Sequence, residues 1–128
     1  MKKLITLLLI SSFLLSCTKE KPLSSTNLVG EWSWITTCGG FVGCVTPATE
    51  HHTIRITFNS DSTFSMFQND SVLSSGNFST LKVPADDGIS IHSVVKMGDA
   101  YNVYSIHNDT LALSMMNVNI GSVYTRIK

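Results

Sequence analysis

Hydrophobic and polar positions divide the chain into three stretches of different character. Leu4 to Ser16 is an unbroken run of apolar and small residues. Thr18 to Asn27 is polar, contains Pro22 and has no periodicity. From Leu28 onward the pattern becomes short alternating runs separated by turn residues. The clearest is His51 to Phe58, with Ile54, Ile56 and Phe58 on one face and Arg55 and Thr57 on the other. Such alternation is the signature of a half-buried strand. The same reading predicts strands at Leu28–Thr37, Thr63–Gln68, Ser71–Leu81, Gly88–Val95, Tyr101–Ile106, Thr110–Met116 and Ile120–Ile127. Gly76 marks a bulge or bend in the fourth strand. Cys38–Glu50 is too long for a hairpin turn, and Lys82–Asp87, which holds Pro84, reads as a loop.

No segment after the leader has sustained helical periodicity. Eight short strands joined mostly by hairpin-length turns predict an all-β fold, an eight-stranded antiparallel up-and-down barrel. Closure removes the edges of such a meander. Strand parity then has two consequences. The last strand finishes where the first begins, which sets Arg126 beside Trp32 across the seam, with Gly30 permitting close backbone approach. The connections 38–50, 69–70, 96–100 and 117–119 gather at one end.

The first stretch has a basic start, Lys2 and Lys3, and is too short to span a bilayer, which takes roughly 20 apolar residues. A charged start, a short apolar run and small residues describe a secretory signal. Leu14-Leu15-Ser16-Cys17 resembles the lipobox of bacterial lipoproteins. That resemblance implies diacylglycerol on the Cys17 thiol, cleavage before it and acylation of the new amine. The expected organisation is a signal peptide over 1–16, a lipidated tether over 17–27 and one barrel domain over 28–128. Several acyl chains would make the membrane attachment stable without a spanning segment. The alternative is an ordinary signal with an incidental cysteine.

Charge and cysteine content narrow the classes further. Nine basic residues balance nine acidic ones, and loss of Lys2 and Lys3 with the leader tips the balance to acidic. Without a basic patch or aromatic–basic interleaving, nucleic acid is not an expected partner. With Cys17 carrying lipid, Cys38 and Cys44 form an even pair in Cys-Gly-Gly-Phe-Val-Gly-Cys, and an oxidising compartment favours a disulfide. A metal or redox pair is the rival reading. Zinc needs further ligands at suitable spacing, and a thioredoxin-type motif needs two intervening residues.

Leu28-Val29-Gly30-Glu31-Trp32 at the start and Tyr124-Thr125-Arg126-Ile127 at the end resemble the lipocalins, whose first-strand Gly-x-Trp receives a last-strand Arg. Gly39-Gly40 through Pro47 and Ile54 through Phe64 extend the likeness to small bacterial lipocalin-like lipoproteins. The resemblance covers roughly residues 28–127. The chain is shorter than a typical lipocalin and lacks the C-terminal helical pattern. The resemblance implies an open mouth at the 38–50 end, with Phe41 and Val42 on a disulfide-pinned lid. It also implies Trp34, Ile56, Met66, Phe78, Ile91, Leu113 and Met115 as the lining of an apolar interior for a small hydrophobic molecule. Alternatively these side chains fill the barrel, and its surface serves as a protein-interaction or inhibitor module of the cell envelope. Gly30, Trp32 and Arg126 are expected to close the barrel, not to meet a ligand.

Enzymatic chemistry is not expected, nor is a cofactor or metal. No serine sits in a Gly-x-Ser-x-Gly elbow, and His51, His52, His92 and His107 lack ligand spacing. Asp61, Asp86 and Asp87 read as solvated turn residues. Asp61-Ser62-Thr63, Asp70-Ser71-Val72 and Asp109-Thr110-Leu111 resemble acceptor sites of some bacterial O-glycosylation systems. The expected place is outside the cytoplasm, lipid-anchored at an outer membrane, on its periplasmic or surface face.

Overall fold

A computed structural model describes residues 27–41 and 43–128. The expected signal at 1–16, Cys17, the expected tether up to residue 26 and Val42 lie outside the described residues. The chain forms β1 (Gly30–Gly39), β2 (Cys44–Val45), α1 (Pro47–Glu50), β3 (Ile54–Phe58), β4 (Thr63–Gln68) and β5 (Ser71–Pro84). β6 (Ile91–Met97), β7 (Ala100–His107), β8 (Thr110–Met115) and β9 (Ile120–Arg126) complete it. From β3 onward every strand pairs antiparallel with its chain neighbours, and β1 pairs with both β3 and β9. The result is the expected eight-stranded up-and-down barrel, with β2 as a two-residue addition to β1.

The strands are strongly staggered. Followed round the wall from Trp32 through Ile56, Met66 and Ser74, the register returns to β1 about a dozen residues further on, so the strands tilt steeply. One result is that β5 has two different halves. Ser71–Asn77 pairs with β4, whereas Phe78–Pro84 pairs with β6.

Inward residues of β1, β3, β4, β6, β8 and β9 form one apolar core around Trp32, Ile56, Phe58, Phe64, Val95, Leu111 and Tyr124. Phe78 meets Phe58 edge-to-face with ring centroids 5.0 Å apart, a favoured aromatic geometry. At the floor, Trp32 and Arg126 are direct cross-strand partners. The guanidinium lies 4.1 Å from the Trp32 ring centroid and donates to the Val29 and Asn27 carbonyls at 3.0 and 2.6 Å. Trp32 Nε1 donates to the Leu28 carbonyl at 2.9 Å. Gly30 has φ +140°, and a Cβ there would come within 2.6 Å of Arg126 Nη1. Its missing side chain is the room the guanidinium occupies.

Four local features differ from the sequence pattern. A single helical turn, α1, replaces irregular loop, because Thr46 and Thr49 cap one another's backbone amides and Pro47 suits a first helical position. The bulge lies between Met66 and Phe67 of β4 and so leaves Leu73 of β5 unpaired, while Gly76 pairs regularly opposite Phe64. A Cβ at Gly76 would lie 3.4 Å from that ring. Pro84 ends β5 instead of entering a loop, consistent with its place at a strand end. Gly88 belongs to the next turn, so β6 starts later and runs on to Met97.

That turn is organised by Asp87, whose carboxylate accepts from Ser90 Oγ at 2.6 Å and from the Ser90 and Ile89 amides at 2.8 and 2.9 Å. Beyond it the hairpin leaves the wall. Ile91–Ser93 pair with β5 alone, and Val83, Pro84 and His92 share an outer hollow with Val103, Met115 and Met116.

Arg126→Ala strips donors from two carbonyls and should cost about 3 kcal/mol in urea unfolding, given the strength of charge-assisted hydrogen bonds. Gly30→Ala should cost about 1–3 kcal/mol through its backbone geometry and the lost space. Part of that second cost should vanish in the Arg126→Ala background. An Arg126→Ala midpoint equal to wild type would remove the clasp from the account.

The Asp87 turn carries a pH dependence. Hydrogen bonds from the Ser90 hydroxyl, then from the Ser90 and Ile89 amides, lower the Asp87 carboxyl to about 2. The folded chain therefore holds fewer protons here than the unfolded one. The turn's stabilisation is present above the ordinary carboxylate range and is lost as pH falls towards 2. Carboxyl-detected NMR titration should show this low midpoint, and Ser90→Ala should raise it.

Candidate functional site

The barrel interior is filled towards the floor and open higher up. Above Trp32 and Phe58, an interior cleft of about 200 Å³ is lined by Phe64 and Met66 of β4, Ser74 of β5 and Met97 of β6. Ala100 and Asn102 of β7, Leu113 of β8 and Tyr124 of β9 complete it. These strands place their inward residues by simple alternation, so the cleft is mostly apolar. Ser74, Asn102 and Tyr124 add a few polar groups, the usual make-up of a small-ligand site. Burial pushes the Tyr124 phenol up, while the Ser122 hydroxyl pulls it the other way. Tyr124 is thus a neutral hydroxyl at physiological pH.

The cleft sits where the wall is incomplete. β6 ends at Met97 and turns back through Gly98 and Asp99, so among the described residues no strand pairs with the far edge of Ser71–Gly76, and Asn77 is met there only by the Gly98 amide. The steep stagger creates this notch.

Of the seven expected lining residues, Met66 and Leu113 line the cleft. Trp34 and Ile56 are buried in the adjoining core, and Phe78 packs on the floor against Phe58. Ile91 and Met115 do not face the interior. Ile91 is 68% exposed because its hairpin leaves the wall, and Met115, 51% exposed at the end of β8, borders the outer hollow. Phe64 and Met97 carry an apolar signal that alternation from Met66 and Val95 could have supplied. Ser74, Ala100, Asn102 and Tyr124 need the register itself.

The lid also differs. Cys38 and Cys44 are disulfide-bonded and are direct partners of β1 and β2, so the bridge holds β2 against β1. Closing so short a loop contributes about 2 kcal/mol on the chain-entropy model. Phe41 is wholly exposed and packs on none of the described residues, so it does not cover the interior, and Val42 lies outside the described residues. The covering groups come from further along. Val45 packs on the core, and His52 stacks on Trp34 with ring centroids 5.6 Å apart. Trp34 Nε1 donates to Thr37 Oγ1 at 2.9 Å.

Among the described residues, no three His, Cys, Asp or Glu side chains gather in a way that could hold a metal ion. Ser62, Ser71 and Thr110 are exposed at turns or strand starts. No protein-family model matches the chain, and no curated protein matches it significantly.

The neutral phenol is directly testable. Absorbance at 295 nm should show a phenol ionising above the ordinary tyrosine range, and Tyr124→Phe should remove that late step. A late step that survives the substitution would place the buried phenol elsewhere.

Proposed function

We propose that this chain is an exported, lipid-anchored binding module whose barrel cleft takes a single small apolar group. The observation that carries this reading is the interior cleft beside Leu113 and Tyr124. Its volume of about 200 Å³ is below the roughly 300–1,000 Å³ of drug-sized pockets and above the 150 Å³ or so that holds benzene. A long-chain lipid does not fit within it. An aromatic ring or a short branched hydrocarbon does, with Asn102 and Tyr124 available to a polar substituent.

The Gly30–Trp32–Arg126 closure and the up-and-down barrel support the lipocalin likeness. Leu14-Leu15-Ser16-Cys17 supports lipidation, and with it an outer-membrane location. The disulfide accords with an oxidising compartment outside the cytoplasm. On this reading the lipid holds the module at the membrane, the barrel does the binding, and no catalytic step is involved.

Native mass spectrometry with indole tests the cleft. The barrel, its closure and its core all lie within residues 27–128, so residues 18–128 suffice for the measurement. One bound indole should appear, and Leu113→Trp, which fills the space, should abolish it. No adduct at saturating indole would favour the filled-barrel alternative, a surface that docks envelope proteins.

Lipidation has its own test. Expressed in an exporting bacterium, the mature chain should start at Cys17 and carry the mass of its acyl chains. Cys17→Ser should release the protein from the membrane fraction. Unmodified, soluble protein from the native sequence would reduce the leader to an ordinary secretory signal.

A further inference from the structure

The edge beside the cleft, which no described strand pairs, has a specific geometry. Phe78 donates its amide to Ser62 on the β4 side, whereas the Asn77 carbonyl accepts from Gly98 on the other. Antiparallel pairing alternates strictly, so Ser75 turns both its amide and its carbonyl to the open side, and Asn77 turns its amide there. The whole segment Ser71–Asn77 is exposed. Its sequence, Ser-Val-Leu-Ser-Ser-Gly-Asn, contains no charge and no proline. Natural edges are commonly blunted by such residues. Here the Leu73 bulge is present, and it precedes Ser75.

This edge continues the line along which β6 pairs with β5, beyond the Phe78–Met97 pair. On its inner side is the cleft, whose wall includes Ser74 of this same segment. On its outer side is a surface hollow bordered by Asn77, Ser79, Lys96 and Asp99. An added strand would therefore project alternate side chains into apolar and polar surroundings. A polypeptide backbone in extended form offers the donor and acceptor that the ladder groups of Ser75 require while delivering a side chain to the cleft.

We infer that the cleft and the Ser71–Asn77 edge together form a β-augmentation site for an extended peptide, which inserts one large apolar side chain among Met97, Leu113 and Tyr124. This rests on the proposed reading of the cleft and names the class of its ligand. In strand addition, main-chain hydrogen bonds give affinity and alternate pockets give specificity. The cleft's size suits one leucine or phenylalanine side chain better than a lipid tail. A second copy of this chain fits less well. Its own β5 edge would offer Ser74 and Gly76 to the interior and leave the cleft unfilled.

The test uses blocked heptapeptides of alternating threonine and leucine, or threonine and alanine, with indole as the small probe. The leucine peptide should bind about tenfold or more tightly than the alanine peptide, reflecting burial of the larger side chain. It should protect the Ser75 amide from hydrogen exchange and compete with indole. Methylating the peptide's central amides should weaken binding by about tenfold or more while leaving its side chains intact. Ser75→Pro should remove peptide binding and spare indole binding, since proline is tolerated at an open edge. Indole binding without any peptide protection of Ser75 would overturn this inference and leave the cleft reading standing. Failure of both ligands would overturn both. Concentration-dependent protection of Ser75 without peptide would overturn it in favour of self-association.

Discussion

The barrel depends on one contact, the Arg126 guanidinium held between the Trp32 ring and two backbone carbonyls. An up-and-down sheet becomes a barrel only when its first and last strands meet. Here they meet along nearly the whole of β1, and the clasp fixes the floor end of that ladder. The attraction between the cation and the indole face is modest, about 0.5–2 kcal/mol according to its desolvation. The hydrogen bonds to Val29 and Asn27 add to it, because a charged donor strengthens each bond and a partly buried carbonyl left without a donor is costly. They also bind the residues that precede β1 to the far end of the chain. Gly30 is part of the same unit, since the guanidinium occupies the space where its side chain would be.

The stagger set by this closure shapes everything above the floor. With a steep tilt, strands of ordinary length do not overlap along their full extent. β5 is therefore divided between β4 and β6, and β6 turns back before it covers the upper half of β5. A cleft, an open edge and a curling hairpin are three outcomes of one geometric fact. The floor is filled because Trp32, Phe58 and Phe78 are large and converge there. The upper interior is emptier because Ser74, Gly76, Ala100 and Asn102 face it, and none of them is bulky.

Strand alternation made most of the architecture legible. Ile54, Ile56 and Phe58 declared their face, and parity alone set Arg126 opposite Trp32. The disulfide was legible from the cysteine count once Cys17 was assigned to lipid. What alternation could not supply was register. Met115 has the inward parity of Leu111 and Leu113, yet it lies at the rim, where the stagger has already carried β8 past the core. Ile91 shares inward parity with Val95 and Met97, but β6 has left the wall by then. The Asp87 turn shifted β6 towards its C-terminal end and made Met97 a cleft residue. Phe41 belonged to a loop whose sequence gave no sign that Val45 and His52 would cover the end instead.

The polar residues on the inner face are the least legible part and the most informative one. A barrel that only needed to be stable would place larger apolar side chains at Ser74, Ala100 and Asn102, because each added methylene filling an interior void is worth about 1 kcal/mol. Filling them would close the cleft and give the interior the density of a protein core. Instead, small and polar residues surround Met66, Met97 and Leu113, next to the only half of β5 that lacks a second neighbour among the described residues. Lost packing and an unpaired edge are separate costs. Their occurrence at the same place is what the proposed strand addition would explain, since the side chain filling the void would belong to the backbone completing the ladder.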